Sequence, residues 1–213
     1  MCRVVKAKRT FHDLFPWGYL FASFRNFKAG YLTTEAEMVR RFLKKSSTIL
    51  ILGSGNGREA WPLRHQGHTI ICMDMGLGYL LSGIKLCLSE HIKKVHFVQG
   101  DMFRLPFAAL SFDAVFYTLY SFSSLRRFTV MEDIKRVLRP EGIVFQMAVT
   151  KHYYMTIGVK SELVLFADRE LLRRDIERCG FELLDGATDP ARREYLFAVI
   201  RPRNDFIYSE SKK

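Results

Sequence analysis

Apolar positions along the chain group into runs of two kinds, one short and continuous, the other longer and periodic. The continuous runs cover 48–52, 69–73, 95–98, 114–118, 143–149, 181–184 and 195–200. Unbroken rather than alternating apolarity is the pattern of strands covered on both faces. Between them, 35–44, 58–66, 78–89, 128–138 and 169–179 place their apolar residues at helical spacing. Several of these periodic stretches stop at helix-ending residues, with Gly67 after the second, Pro140 and Gly142 after the fourth, and Gly180 at the C-cap position of the fifth. Strands alternating with helices predict an α/β fold with a parallel, doubly wound sheet. The end of the chain departs from the alternation, because 181–184 and 195–200 are joined by a segment with no helical pattern. So short a connection predicts an antiparallel last strand.

No internal repeat, low-complexity tract or Pro/Gly-rich linker interrupts the pattern, so the chain reads as one domain, 35–213, preceded by a helical extension, 1–34. The extension is dense in aromatics, with Phe11, Phe15, Trp17, Tyr19, Phe21, Phe24, Phe27 and Tyr31. Such residues can roof a pocket for an apolar or planar molecule, or pack a helix permanently against the sheet. The segment 150–167 is a second insertion outside the alternating core.

Composition narrows the class further. The 213 residues are 48% hydrophobic and 26% charged, which is globular, and no apolar run approaches the ~18 residues of a membrane helix. No apolar stretch of signal-peptide length follows the basic N-terminus, so a cytoplasmic protein without a membrane partner is expected. The four cysteines, Cys2, Cys72, Cys87 and Cys179, lack any CxxC or Cys/His ligand spacing, which argues against a metal site and a disulfide framework. A formal net charge of +11 favours anionic partners. The excess is scattered in pairs such as Lys93-Lys94 and Arg173-Arg174, so nucleic-acid binding is a secondary expectation behind a small-molecule substrate.

The residues that point to chemistry begin at the first strand, where Ile49-Leu50-Ile51-Leu52 runs into Gly53-Ser54-Gly55-Asn56-Gly57 and then a helical pattern. Glycines at such a turn let the backbone bend sharply and let a ligand approach it at the start of a helix. The dinucleotide-binding pattern GxGxxG would need a third glycine at position 58, which is Arg58. That third site serves the close packing of a dinucleotide fold. The GxGxG spacing therefore favours S-adenosylmethionine over NAD. The second strand ends in Asp74, some 20 residues after the glycines, where a carboxylate can accept hydrogen bonds from both hydroxyls of a ribose. The alternative for Asp74 is a cap on the helix starting near Met75.

Read in order, GxGxG, the acid after strand two, GDMFRLPF after strand three, SFDAVFYT as strand four and DIKRVLRPEGIVFQM into strand five resemble the class I S-adenosylmethionine-dependent methyltransferases of the small-molecule kind called methyltransferase type 11. The resemblance covers 35–148. It implies a Rossmann-like, seven-stranded, mostly parallel sheet with an antiparallel last strand and helices on both faces, with S-adenosylmethionine as cofactor. It places Gly53, Ser54 and Gly55 on the methionine and ribose side, Asp74 on the ribose hydroxyls and Met75 against the adenine. Asp101 would accept from the adenine amino group, while Met102 would supply a backbone N–H and an apolar contact. Tyr117 and Thr118 would stand near the methyl group and the acceptor, and Asp113 would be structural. Where many relatives carry an acid two residues before the first glycine, this chain has Ile51. Glu59 is the nearest replacement, though a solvent-facing acid in a first helical turn is the simpler expectation for it.

Methyl transfer from a sulfonium needs alignment more than a nucleophile, and an oxygen or nitrogen acceptor can additionally use a general base. The candidates are Tyr117, Tyr120, His152 and Tyr153; His152 titrates nearest neutrality. Two other functions fit parts of the pattern: an RNA methyltransferase using the basic surface, and a non-catalytic adenosyl-binding protein, which the Ile51 substitution favours.

Overall fold

The computed structural model describes residues 30–119, 124–149, 169–188 and 195–203. The seven apolar runs become seven strands: β1 Thr48–Leu52, β2 Thr69–Asp74, β3 Val95–Gln99, β4 Phe112–Leu119, β5 Leu138–Val149, β6 Phe181–Thr188 and β7 Tyr195–Pro202. The helices are α1 Thr33–Phe42, α2 Ala60–Leu63, α3 Leu77–Ser89, α4 Ser124–Val137 and α5 Arg169–Arg178. One seven-stranded sheet has the order β3-β2-β1-β4-β5-β7-β6. Pairings β1–β2, β2–β3 and β4–β5 are parallel, while β7 runs antiparallel to both β5 and β6. The short β6–β7 connection therefore delivers the antiparallel strand that its length predicts, and the fold is Rossmann-like.

By its internal contacts the chain divides into two compact units, one containing 44–106 and the other 32–43 and 107–213. In the first, β1 is buried along nearly its whole length, as its unbroken Ile-Leu-Ile-Leu run requires. Its register with β2, Ile49 to Ile70 through Leu52 to Met73, brings the ends of both strands level, so the glycine turn and Asp74 meet at one edge. Leu86 and Cys87 of α3 pack with Trp61, Ile92, Val95 and Phe97 and close the helix onto β3.

In the second unit α1 opens with the Glu35 carboxylate accepting the Leu32 N–H (3.1 Å), half of a capping box. It packs on β6 and β7, and Arg41 reaches Asp185 at 2.7 Å. Asp113 at the start of β4 pairs with Arg139 at 2.7 Å, consistent with a structural role.

Several predicted elements differ in extent: β6 runs on to Thr188, α4 starts earlier, at Ser124, and α2 and β5 differ for identifiable reasons. The 58–66 pattern yields only the four-residue α2 flanked by turns. Pro62 lies inside it and brings no N–H, and the surrounding bonds, such as Ala60 N–H to Gly57 (3.0 Å) and Arg64 N–H to Trp61 (3.4 Å), are of the tighter i to i+3 kind. Strand β5 starts at Leu138 rather than 143: Leu138 pairs with Phe112, the register then shifts, and pairing resumes at Ile143 with Ala114. The shift falls across Pro140, which has no N–H for the ladder.

Candidate functional site

All three loop glycines sit in the left-handed region, Gly53 at φ 65°, Gly55 at 55° and Gly57 at 91°. A side chain in that region costs on the order of 1 kcal/mol or more per residue, which is why this turn is built from glycine. Gly57 is also closed to a side chain by space: a Cβ there would stand 3.3 Å from Cys72 Sγ and 3.5 Å from the Phe97 ring. The loop thus lies flat against β2 and β3.

Hydrogen bonds fix it from the β2 side. Ser54 donates its N–H to the Met73 carbonyl (3.1 Å), and Gly55 donates to Asp74 Oδ2 (2.9 Å). The other carboxylate oxygen, Oδ1, accepts the Gly76 N–H at 2.8 Å. Asp74 is therefore not the cap of α3, whose N-cap is Gly76, but the clasp between the glycine turn and the turn that starts the helix. Each oxygen keeps a further lone pair, so the clasp leaves acceptor capacity for two hydroxyls.

The next residues belong to the same edge. Met75 is exposed, and its backbone carbonyl accepts from Gln99 Nε2 at 3.0 Å. After β3, Asp101 turns the chain: its Oδ1 accepts the Phe103 N–H (2.9 Å) and its carbonyl accepts the Arg104 N–H (3.0 Å). Asp101 is exposed. Met102 bends back so that its Cε lies 3.4 Å from where a Cβ on Gly53 would be, close over the first glycine. The structure thus brings Gly53, Ser54, Gly55, Asp74, Met75, Asp101 and Met102 onto one unit.

Glu59 departs from expectation. It is buried rather than solvent-facing, and its carboxylate pairs with the Arg58 guanidinium at 2.7 Å. Arg58 also donates to the Gly30 carbonyl, and the Tyr31 hydroxyl donates to the Glu59 carbonyl at 2.9 Å. Neighbouring polar groups, invisible to helical spacing, draw this acid inward. Burial pushes the Cys72 thiol well above its ordinary pKa, with Glu59 adding to the effect, so Cys72 is a packing residue beneath the loop. Ile51 is fully buried in β1.

Tyr117 and Thr118 lie in the second unit at the carboxyl end of β4, where the Tyr117 ring is only 1% exposed. Tyr120, His152, Tyr153 and the segments 1–29 and 150–167 lie outside the described residues. One contributor escapes the motif reading altogether. Gly83 on α3 leaves no room for a side chain: a Cβ would stand 2.4 Å from the Phe97 ring and 2.5 Å from the Asn56 carbonyl, so α3 abuts the loop's own backbone. A lone glycine inside a helical pattern was its one sequence signal.

Residues 50–146 match the family described as a methyltransferase domain. The chain is 26% identical over 160 residues to the biotin biosynthesis bifunctional protein BioHC of Cellvibrio japonicus, covering 72% of this chain and 31% of that protein. It is 44% identical over 62 residues to a probable phthiotriol/phenolphthiotriol dimycocerosates methyltransferase of Mycobacterium ulcerans, covering 29% of this chain and 24% of the relative. The chain thus spans less than a third of either curated relative. Among solved structures, a chain from the complex of the Haloferax volcanii Trm112 methyltransferase activator with a methyltransferase superposes with a TM-score of 0.72 at 16% identity, covering 92% of this chain and 100% of that one.

Proposed function

We propose that this chain, whose residues 50–146 match a methyltransferase domain, is a class I enzyme that transfers the methyl group of S-adenosylmethionine to a small-molecule acceptor. The observation that carries the reading is the Asp74 clasp, which fixes the glycine turn through Gly55 and leaves each carboxylate oxygen acceptor capacity at the edge of the sheet. The residues present fit the cofactor. Glycine at 53 adopts the positive φ of the turn, Asp74 has capacity for the ribose hydroxyls, and Asp101 is exposed for an adenine amino group. Met75 and Met102 supply apolar, polarizable contacts to a flat ring.

S-adenosylmethionine supplies a methyl group on a positively charged sulfur, a leaving group already activated. What remains for the protein is to align the acceptor with the methyl carbon and exclude water, an effect worth up to about 7 to 11 kcal/mol in well-oriented model reactions. Tyr117 and Thr118 are the proposed residues on the methyl side. Tyr120 and His152 are candidate bases for an oxygen or nitrogen acceptor, with His152 suited to neutral pH. The aromatic segment 11–31 is the proposed lid over the acceptor.

A small-molecule acceptor is favoured over RNA by how the cations are used. Arg173 and Arg174, a pair that the sequence offers as part of a basic surface, are held by Glu170 and Glu177 at 2.8 to 3.1 Å. Native mass spectrometry of the purified protein tests the reading, with co-purified S-adenosylmethionine or S-adenosylhomocysteine expected. A methyl-transfer screen against metabolite extracts and against RNA then separates the acceptor classes. Binding without any turnover would favour a non-catalytic adenosyl-binding protein.

A further inference from the structure

Helix α3 buries Leu80, Ser82, Gly83, Leu86 and Cys87 and, among the described residues, leaves a second apolar face exposed. Leu77 is 44% exposed, Leu81 55%, Ile84 38% and Leu88 71%. Their spacings of four, three and four residues place them one above another along one side of the helix. Met75, just before the helix, is also exposed, at 40%. Large aliphatics scattered singly on a surface need no explanation, but a row along three turns marks a contact surface.

The charges around the row select the partner. Lys85 flanks the stripe on its own helix, and Lys93 and Lys94 are exposed in the turn after it. Between residues 75 and 96 the only acid is Glu90, against Lys85, Lys93 and Lys94, giving a local formal charge of +2. The whole chain carries +11. Two copies meeting through this face would oppose like charges, whereas an anionic surface would neutralise them. Nucleic acid has no counterpart for an aliphatic row.

We propose that α3 is the face by which this protein rests on an anionic phospholipid surface, with Leu77, Leu81, Ile84 and Leu88 entering the headgroup boundary and Lys85, Lys93 and Lys94 meeting the phosphates. The association is peripheral, since the 13 residues of α3 are too few to span a bilayer. Each lysine near an anionic leaflet strengthens partition by about fivefold.

Co-sedimentation with vesicles tests this, using phosphatidylcholine mixed with phosphatidylglycerol against phosphatidylcholine alone. The intact protein is expected to bind the mixed vesicles at least tenfold more strongly than the neutral ones, and to release at about 1 M salt, where screening falls to about 3 Å. The double variant Leu81→Ser/Leu88→Ser changes only exposed positions. It should lose binding at least tenfold while keeping its circular dichroism spectrum and its affinity for S-adenosylhomocysteine. Lys93→Gln/Lys94→Gln should weaken binding to the mixed vesicles alone. The proposal is overturned by equal binding of the double variant and the intact protein, by no binding of the intact protein to anionic vesicles, or by a dimer in sedimentation velocity that the Leu81→Ser/Leu88→Ser change dissolves.

Discussion

Asp101 and His68 show how a single side chain's neighbours fix what it does. Asp101 Oδ1 is occupied by the Phe103 N–H, which holds the carboxylate in one orientation at the end of β3. In Asp101→Asn one acceptor becomes a donor, so affinity for S-adenosylmethionine should fall. An analogue with inosine in place of adenosine should then lose less on the variant than on the intact protein. Equal discrimination by both proteins would move the adenine elsewhere. His68 is held neutral: its Nδ1 accepts the Ser47 N–H at 3.0 Å, and burial keeps its pKa below the ordinary 6.5. Below about pH 6.5 the unfolded chain takes up this proton more readily than the folded one, so the stability His68 contributes is present above that pH and lost as pH falls. Thermal unfolding measured from about pH 7.5 down to about pH 5 should show the intact protein losing stability more steeply than His68→Asn. Parallel curves would remove His68 from the acid sensitivity.

At the scale of elements, α3 and β1 position the proposed cofactor edge by different means. Strand β1 does so through burial, which its run of Ile and Leu declares in the sequence. Helix α3 does so through the absence of a side chain at Gly83, against the Phe97 ring and the Asn56 carbonyl. Gly83→Ala would raise intrinsic helix propensity by about 1 kcal/mol, yet overpacking here should cost about 1 to 3 kcal/mol and displace the loop backbone. The expected result is a lower Tm together with weaker S-adenosylhomocysteine binding; a variant more stable than the parent would contradict the packing. Strand positions were legible because two-sided burial writes itself as continuous apolar runs. The extent of α2 was less so, since Pro62 and the i to i+3 turns around it override the helical pattern. Glu59 was misjudged for a related reason: its burial depends on Arg58 and on the arrival of Gly30 and Tyr31, contacts that no local spacing encodes.

For the whole molecule, the ordered motifs carried the seven-stranded topology and its antiparallel strand, and seven of the nine proposed cofactor positions, 53–55, 74–75 and 101–102, fall on one unit, while Tyr117 and Thr118 fall on the other. The acceptor side was not legible in the same way, because the segments proposed for it have a composition that says apolar and aromatic but not what they enclose. Removing residues 1–29, and so sparing the Gly30 and Tyr31 bonds to Arg58 and Glu59, should leave cofactor affinity within about tenfold, a change of about 1.4 kcal/mol. Methyl transfer to the true acceptor should fall much further. An unfolded truncation would make the aromatics core rather than lid, and normal turnover would shift the search for the acceptor pocket to 150–167. The central claim, that the Asp74 clasp is the floor of an S-adenosylmethionine site, is tested most directly by calorimetric titration of S-adenosylhomocysteine into the intact protein and Asp74→Ala. Bonds to a charged carboxylate contribute roughly 1.5 to 3 kcal/mol. The intact protein should bind one equivalent, and the folded variant should bind about 10- to 100-fold more weakly. Equal affinity in the two folded proteins, or no binding by the intact one, would contradict it.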